Sequence, residues 1–220
     1  MGVFQFLSIF SPLLPIIFFI LFRPNKSVKE LWVVFFYAIF SFLEDILIFR
    51  YISREDTNLA FLVVTLIDYL FVSIILRLLL KSRPMKVALT VISILFVSYG
   101  IILFRFSTNT NSYTTTSPIE SIIVIIFCIR YLFEQLNKSE EFFVYSTPGF
   151  WLVLGFLIFA SGTLFLYIFR TIDFEEARKW WVINNTCNII LNFFIALAIL
   201  INHRNSKSKN PAKEVPLYNN

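Results

Sequence analysis

Residues 180–201 read WWVINNTCNIILNFFIALAILI, a run of 22 residues without a charged side chain. As a helix rising about 1.5 Å per residue, it is long enough to cross the roughly 30 Å hydrocarbon core of a bilayer. One face of that helix, about 60° wide on a 3.6-residue repeat, carries a tryptophan and three amides: Trp181, Asn185, Asn188 and Asn192. Amide groups are costly in hydrocarbon unless they find partners, so this face is expected to look into a helical bundle.

The composition of the whole chain is that of a membrane protein. Of its 220 residues, 58% are hydrophobic and 15% are charged, whereas soluble domains average about 45–50% apolar and 25% charged residues. The net charge of +5 is carried by short loops and the tail, which indicates the cytoplasmic side of a membrane protein rather than a nucleic-acid partner. We expect a transmembrane domain over residues 1–202 and a basic, disordered cytoplasmic tail over 203–220.

Seven apolar segments, separated by charged or Pro/Asn/Ser-containing breaks, follow one another along the chain. Each has the length that one membrane crossing requires. The sequence therefore predicts an all-α membrane protein, a bundle of seven transmembrane helices. The segments run over 3–22, 31–52, 59–80, 87–106, 119–136, 149–169 and 180–201.

The distribution of basic residues predicts the orientation. If alternate loops share a side, the stretches 23–29, 77–86, 130–138 and 204–213 hold 13 of the 19 Lys and Arg residues. Loops on the cytoplasmic side are enriched in these residues, so the amino terminus is expected outside and the carboxyl terminus in the cytoplasm. The first basic residue, Arg23, follows the first apolar run, which favours a retained helix over a cleavable signal peptide.

Polar and ionisable side chains within the predicted spans are the candidate ligand-binding residues, because each costs free energy inside a membrane. Counted from the helix ends, they all fall in the outer half of the bundle. One hypothesis is a cavity open to the outside that accepts a ligand or a cation. The alternative is that these groups bond to one another and fix the packing. The candidates are Glu44, Asp45, Asp68, Ser161, Asn185, Asn188 and Asn192.

Other polar residues carry less functional information. Arg130 and Glu134 are four positions apart on the fifth segment, which predicts a local ion pair. The only histidine, His203, lies at the membrane edge, and no GxSxG, P-loop or Cys/His cluster occurs. The sequence thus predicts no metal site, no cofactor and no catalytic residue, although it leaves enzymatic activity undecided.

The segment Thr147–Thr163, TPGFWLVLGFLIFASGT, together with the asparagine-bearing helix, carries a resemblance to a known group. It resembles small seven-helix membrane proteins of Bacteroidota, in which a Pro-x-Phe-Trp-x-x-x-Gly helix precedes an Asn-rich one. Similar modules form the membrane input of sensor histidine kinases. The resemblance implies a sensory or signalling role in a bacterial inner membrane and a cytoplasmic signalling partner.

Three functions remain open at this point. The first is a non-catalytic sensory module that binds a small ligand in the outer half, shifts its helix packing and signals to a cytoplasmic protein. The second is a small-solute transporter of the three-plus-one-plus-three type, but residues 32–49 laid on 151–168 share little beyond chance. The third is a lipid-acting enzyme that uses the carboxyl groups of Glu44, Asp45 or Asp68. The lipid bilayer is a partner in every case, and the oligomeric state is left open.

Overall fold

The computed structural model describes residues 3–24, 28–51, 57–106, 112–137, 144–170 and 177–208. These residues are helical almost throughout, and no strand occurs among them. The helices are α1 (Val3–Phe10), α2 (Leu13–Phe22), α3 (Lys29–Tyr51), α4 (Thr57–Leu79), α5 (Arg83–Phe106), α6 (Ser112–Leu136), α7 (Pro148–Arg170) and α8 (Ala177–Ser208), with a short 3₁₀ helix η1 (Val144–Ser146) before α7.

The predicted membrane class is confirmed. Within the described residues, six stretches are long and apolar enough to cross a bilayer: Phe4–Phe22, Ala60–Leu79, Arg83–Arg105, Thr115–Leu136, Pro148–Ile168 and Val182–Ser208. The helix α3 has 23 residues, also enough for a crossing, but it carries Glu44 and Asp45 in addition to its terminal charges. The chain is thus a multi-pass, all-helical membrane protein with six to seven spans.

The first predicted span is broken rather than continuous. Pro12 and Pro15 lack the backbone N–H groups that would bond the carbonyls of Ser8 and Ser11 in an unbroken helix. Both carbonyls find other donors: the Ser11 N–H and hydroxyl bond the Ser8 carbonyl at 3.1 and 2.8 Å, and the Leu14 N–H bonds the Ser11 carbonyl at 3.0 Å. The two carbonyls that the prolines leave without their usual donors are therefore both hydrogen-bonded, as the interior of a membrane requires.

Two helices are longer than the sequence predicted. The helix α6 begins at Ser112, seven residues before the predicted span, and keeps Pro118 inside it. The Thr- and Ser-rich run before Pro118 resembles a loop in composition, yet residues 112–117 are helical. The helix α8 runs to Ser208 and so enters the stretch predicted as a disordered tail. The rest of that tail, and the side chain of Trp181, lie outside what the structure describes.

Six of the spans form a closed ring. Going round it, the α1–α2 pair contacts α3, then come α4, α6 and α7, and α8 returns to the α1–α2 pair. The helix α5 lies outside this ring, packed mainly on α4 and less on α6. Most of α5 faces the surroundings of the bundle, as its exposed Val87, Val91 and Leu95 show.

The closest seam in the ring is that between α7 and α8, and glycines make it possible. A side chain at Gly155 would meet Leu191 and Phe194, and one at Gly162 would meet the Cys187 sulfur. Small residues let membrane helices approach closely, and van der Waals contact then supplies the stabilisation. This seam fixes where α8 and its asparagines lie relative to the rest of the bundle.

Alternate loops gather at one end of the bundle, as the sequence analysis assumed. The His203 ring nitrogen Nδ1 lies 3.2 Å from the Phe22 carbonyl, and the Asn205 amide donates to the Ser146 carbonyl at 2.9 Å. The Lys81 N–H donates to the Glu134 carboxylate at 3.0 Å. We call this end the basic end and define it as residues 22–24, 77–86, 130–137, 144–147 and 202–208. That it faces the cytoplasm stays a prediction.

Candidate functional site

Four carboxyl groups from three helices of the ring lie close together. The helix α3 supplies Glu44 and Asp45, α4 supplies Asp68 at its midpoint, and α6 supplies Glu120. Glu44 interacts electrostatically with the other three, and Glu120 also interacts with Asp68. We call these four residues the carboxylate cluster. It lies nearer the end opposite the basic end, since Asp45 is six residues, about 9 Å, from the end of α3.

A small cavity in the middle of the ring adjoins this cluster. Its volume is about 30 Å³, and α3, α4, α6 and α7 all contribute to its wall. The polar part of the wall comprises Tyr37, Asp68, Glu120, Ser121 and Thr163; the apolar part comprises Val72, Val124, Phe156, Phe159 and Ala160. A volume of this size holds about one water molecule. The cavity therefore admits a water molecule or a small ion in the arrangement the structure shows.

Neighbouring hydroxyl groups already have partners. The Thr163 hydroxyl donates to the Phe159 carbonyl at 2.9 Å and contacts the Asn184 side-chain oxygen at 3.3 Å. The Ser121 hydroxyl donates to the Ser117 carbonyl at 2.9 Å. Because each bonds within or beside its own helix, neither supplies the donor that the carboxyl oxygens lack.

Three carboxyl oxygens of the cluster are buried without a hydrogen-bond partner: Glu44 Oε2, Asp45 Oδ2 and Asp68 Oδ1. An unpaired buried polar atom costs about 1–3 kcal/mol, and a charged group costs more. Like charges at close range add to that cost in a medium of low dielectric. The arrangement is consequently suited to receive positive charge, whether as protons on the carboxyl groups or as a cation between them.

No group of three or more His, Cys, Asp or Glu side chains in the described part of the chain has the spacing to chelate a metal ion.

The asparagines of α8 lie elsewhere. The Asn188 amide donates to the Ser8 hydroxyl at 3.1 Å, and the Asn192 amide donates to the Ser11 hydroxyl at 2.8 Å. The Asn192 amide also contacts the backbone and side-chain oxygens of Asn188 at 3.0 and 3.1 Å. These bonds join α8 to the broken first span, and we call Ser8, Ser11, Asn188 and Asn192 the asparagine contact.

The seven predicted ligand-binding residues therefore separate into groups. Glu44, Asp45 and Asp68 belong to the carboxylate cluster. Asn188 and Asn192 instead lie on the face of α8 that packs against the α1–α2 pair. The Ser161 side chain is exposed, and its hydroxyl donates to the Leu157 carbonyl at 2.7 Å. Asn185 is half-buried. The structure thus does not gather these residues around one cavity, and ligand binding at any of them stays a prediction.

The predicted pair on α6 lies at the basic end. The Arg130 Nε atom is 3.9 Å from Glu134 Oε1, a long contact, and the Arg130 side chain is 44% exposed. The second Glu134 oxygen accepts the Lys81 N–H. Glu134 therefore joins the end of α6 to the residues that follow α4, which is a connection that its spacing from Arg130 did not indicate.

Several residues of the site were not among the sequence candidates. Tyr37 is 4% exposed and lines the cavity, but an isolated tyrosine among many aromatic residues gives no signal. Glu120 stood out only as an ionisable residue near the start of its predicted span. Ser8 and Ser11 precede Pro12 and Pro15 by four residues each, which is the one local hint that backbone groups there need other partners.

Comparisons of the chain with protein-family models, with curated proteins and with solved structures found no match.

Proposed function

We propose that this chain is a non-catalytic sensory membrane module whose input is a proton or a small monovalent cation received at the carboxylate cluster. The single observation that carries this proposal is the set of three buried carboxyl oxygens without partners, held by two helices beside a cavity of about 30 Å³. Ionisable groups inside a membrane commonly mark ion or proton sites.

The size of the cavity favours a proton or a monovalent cation over an organic ligand. Sites for organic ligands usually occupy about 300–1,000 Å³, at least about ten times the volume of the cavity beside Asp68 and Glu120. A proton needs no volume, and a bare monovalent cation needs little more than a water molecule. The wider ligand pocket considered from the sequence would require the ring to open.

The mechanism follows from where the four carboxyl groups are attached. Positive charge received at the cluster reduces the repulsion between carboxyl groups of α3, α4 and α6, so these helices pack more closely with the input than without it. The helices α4 and α6 meet again at the basic end, where the Lys81 N–H bonds Glu134. A change of helix packing at the cluster thereby alters the surface of the basic end, which a cytoplasmic partner recognises. The membrane is a bacterial inner membrane.

The first experiment measures thermal unfolding of the protein in nanodiscs while the pH, or sodium chloride against choline chloride, is varied. We expect the wild-type midpoint to depend on one of these variables, because the input binds the folded state more tightly than the unfolded one. Asp68→Asn and Glu120→Gln should lose most of that dependence. The control Glu30→Gln alters an acid of α3 outside the cluster and should behave as wild type.

A second readout follows the transmission step in the same samples. Hydrogen exchange of the Lys81 amide reports its bond to Glu134. After correction for the intrinsic pH dependence of exchange, we expect its protection to change with the input in wild type but not in Asp68→Asn. Equal responses in wild type and in the double variant Asp68→Asn/Glu120→Gln would contradict the proposal.

Transport is the second candidate, because chains of intramembrane carboxyl groups also occur in transporters. Proteoliposomes that enclose a pH-sensitive or sodium-sensitive dye distinguish the two functions. Cation flux that Asp68→Asn abolishes would assign the cluster to a transporter. A binding response without flux would support the sensory role.

A further inference from the structure

A second concavity lies outside the ring, between α4 and α5. It is a groove of about 340 Å³ that opens towards the surroundings of the bundle. Apolar side chains such as Leu70, Ile74 and Ile94 form most of its surface, and Ile94 is 61% exposed. Arg77 lines the groove at the basic end.

Three of the four hydroxyl groups in the groove have no hydrogen left to offer a ligand, and the fourth, Ser98, lies at the end away from Arg77. Ser73 donates to the Leu70 carbonyl at 3.0 Å, Thr90 to the Lys86 carbonyl at 2.8 Å, and Ser93 to the Leu89 carbonyl at 2.7 Å. The remaining surface is almost entirely hydrocarbon. An occupant of the middle of the groove is therefore apolar, since a polar one would leave its own groups unpaired.

The end of the groove has the opposite chemistry. Arg77 lies in the last turn of α4 and is exposed. Lys81, Arg83 and Lys86 follow within nine positions, and Lys81 and Arg83 are exposed as well. A guanidinium group at the level of the lipid headgroups pairs well with a phosphate oxygen, and basic pockets between membrane helices select anionic headgroups.

We propose that the groove binds one anionic phospholipid, with an acyl chain along α4 and α5 and its phosphate against Arg77. The volume lies within the range of about 300–1,000 Å³ typical of ligand sites. The helix α4 carries both Asp68 of the carboxylate cluster and Arg77 of the groove. A lipid in the groove therefore restricts the position of a helix that belongs to the cluster. This inference concerns a separate site and does not depend on the proposed input.

The test uses native mass spectrometry of the purified, delipidated chain titrated with phosphatidylglycerol or phosphatidylcholine of the same acyl chains. We expect a preference for phosphatidylglycerol in wild type. Arg77→Gln should weaken its binding by about fivefold or more, the loss expected for one basic residue near a membrane surface. Arg105→Gln, at the opposite end of α5, serves as the matched control and should bind as wild type.

Two further variants distinguish lipid binding in the groove from an electrostatic attraction of the headgroup to the basic surface. Ile94→Trp fills the groove without changing charge and should lower the affinity for both lipids, and Arg77→Lys should restore part of the preference. Equal affinity of wild type for the two lipids, or unchanged binding by Arg77→Gln, would overturn the proposal. Unchanged binding by Ile94→Trp would also overturn it, because the headgroup alone would then explain the attraction.

Discussion

The carboxylate cluster and the asparagine contact are two polar regions inside one apolar bundle, and they differ in how completely their groups are paired. In the asparagine contact each amide meets a serine hydroxyl across the helix boundary at 2.8–3.1 Å. In the cluster, three carboxyl oxygens are buried without a partner. In the asparagine contact one oxygen, Asn192 Oδ1, is also buried without a partner, but the amide hydrogens are bonded within the chain. The contact thus recovers more of its cost of burial than the cluster does.

This difference separates a structural role from a functional one. Paired polar groups in a membrane hold helices together, because the alternative is an unpaired group in hydrocarbon. Unpaired ones require something from outside the chain, such as a proton, an ion or water. The following predictions change one region at a time, starting with the largest expected effect.

Gly162→Ala tests the seam on which both regions depend, since α7 lines the cavity and α8 carries the asparagines. The new methyl group would overlap the Cys187 sulfur, and overpacking of this kind costs about 1–3 kcal/mol. We expect a loss in the upper part of that range in reversible unfolding from mixed micelles. Adding Cys187→Ala removes the sulfur and should recover part of the loss; an unaltered stability of the single variant would show that the seam is loose.

Asn192→Leu tests the asparagine contact. Asn192 is 1% exposed and its amide is bonded to Ser11, so its removal should cost about 1–2 kcal/mol of unfolding free energy. The control Thr186→Val lies on the same helix and loses only a bond to its own backbone. An equal or higher stability of Asn192→Leu, measured in the same micelles, would argue that this amide serves a ligand instead of the fold.

Asp68→Asn tests the carboxylate cluster, and here we expect the free energy of unfolding to rise, whereas it falls in the two variants above. The amide removes a like charge and supplies a donor to neighbouring carboxyl oxygens, so we expect a gain of roughly 0.5–1 kcal/mol together with loss of the cation or pH response. Glu30→Gln again serves as the control. A loss of stability above this range would mean that the carboxyl group of Asp68 itself holds the bundle together.

Arg130→Gln should have the smallest effect, because it concerns a long and exposed ion pair. Pairs of this kind contribute about 0.2–0.5 kcal/mol. Glu134→Leu should cost more than Arg130→Gln, since it also removes the acceptor of the Lys81 N–H. Similar losses in the two variants would show that the contact with Lys81 contributes little.

The sequence predicted the membrane class and the approximate spans because both depend on local composition. It misplaced the start of α6, where Thr and Ser residues before Pro118 resemble a loop, and the end of α8, where polar residues continue the helix to Ser208. Residues 3–22 do form one candidate span, as predicted, but the sequence did not predict the break at residues 11–12 that divides it into α1 and α2. The break in the first span arises because Pro12 and Pro15 lack the backbone N–H groups that would continue the helix.

For the candidate site, the sequence identified the polar residues but not their partners. Asn188 and Asp68 looked equivalent, since both are polar and lie at similar depth in an apolar span. The structure separates them because Asn188 bonds Ser8, 180 positions away, whereas Asp68 lines the small cavity together with Glu120 of α6. No periodicity within a single helix contains that information.

The sequence alone thus determined that this chain folds as membrane-spanning helices with a few polar residues directed into a bundle, because length, hydropathy and helical period are local properties. The packing of the helices establishes which of those residues are paired and which remain unpaired beside a cavity. It also places α5 so that a groove is left on the outside of the ring. These depend on the order in which helices pack around one another, and that order is set by close contacts such as Gly162 against Cys187.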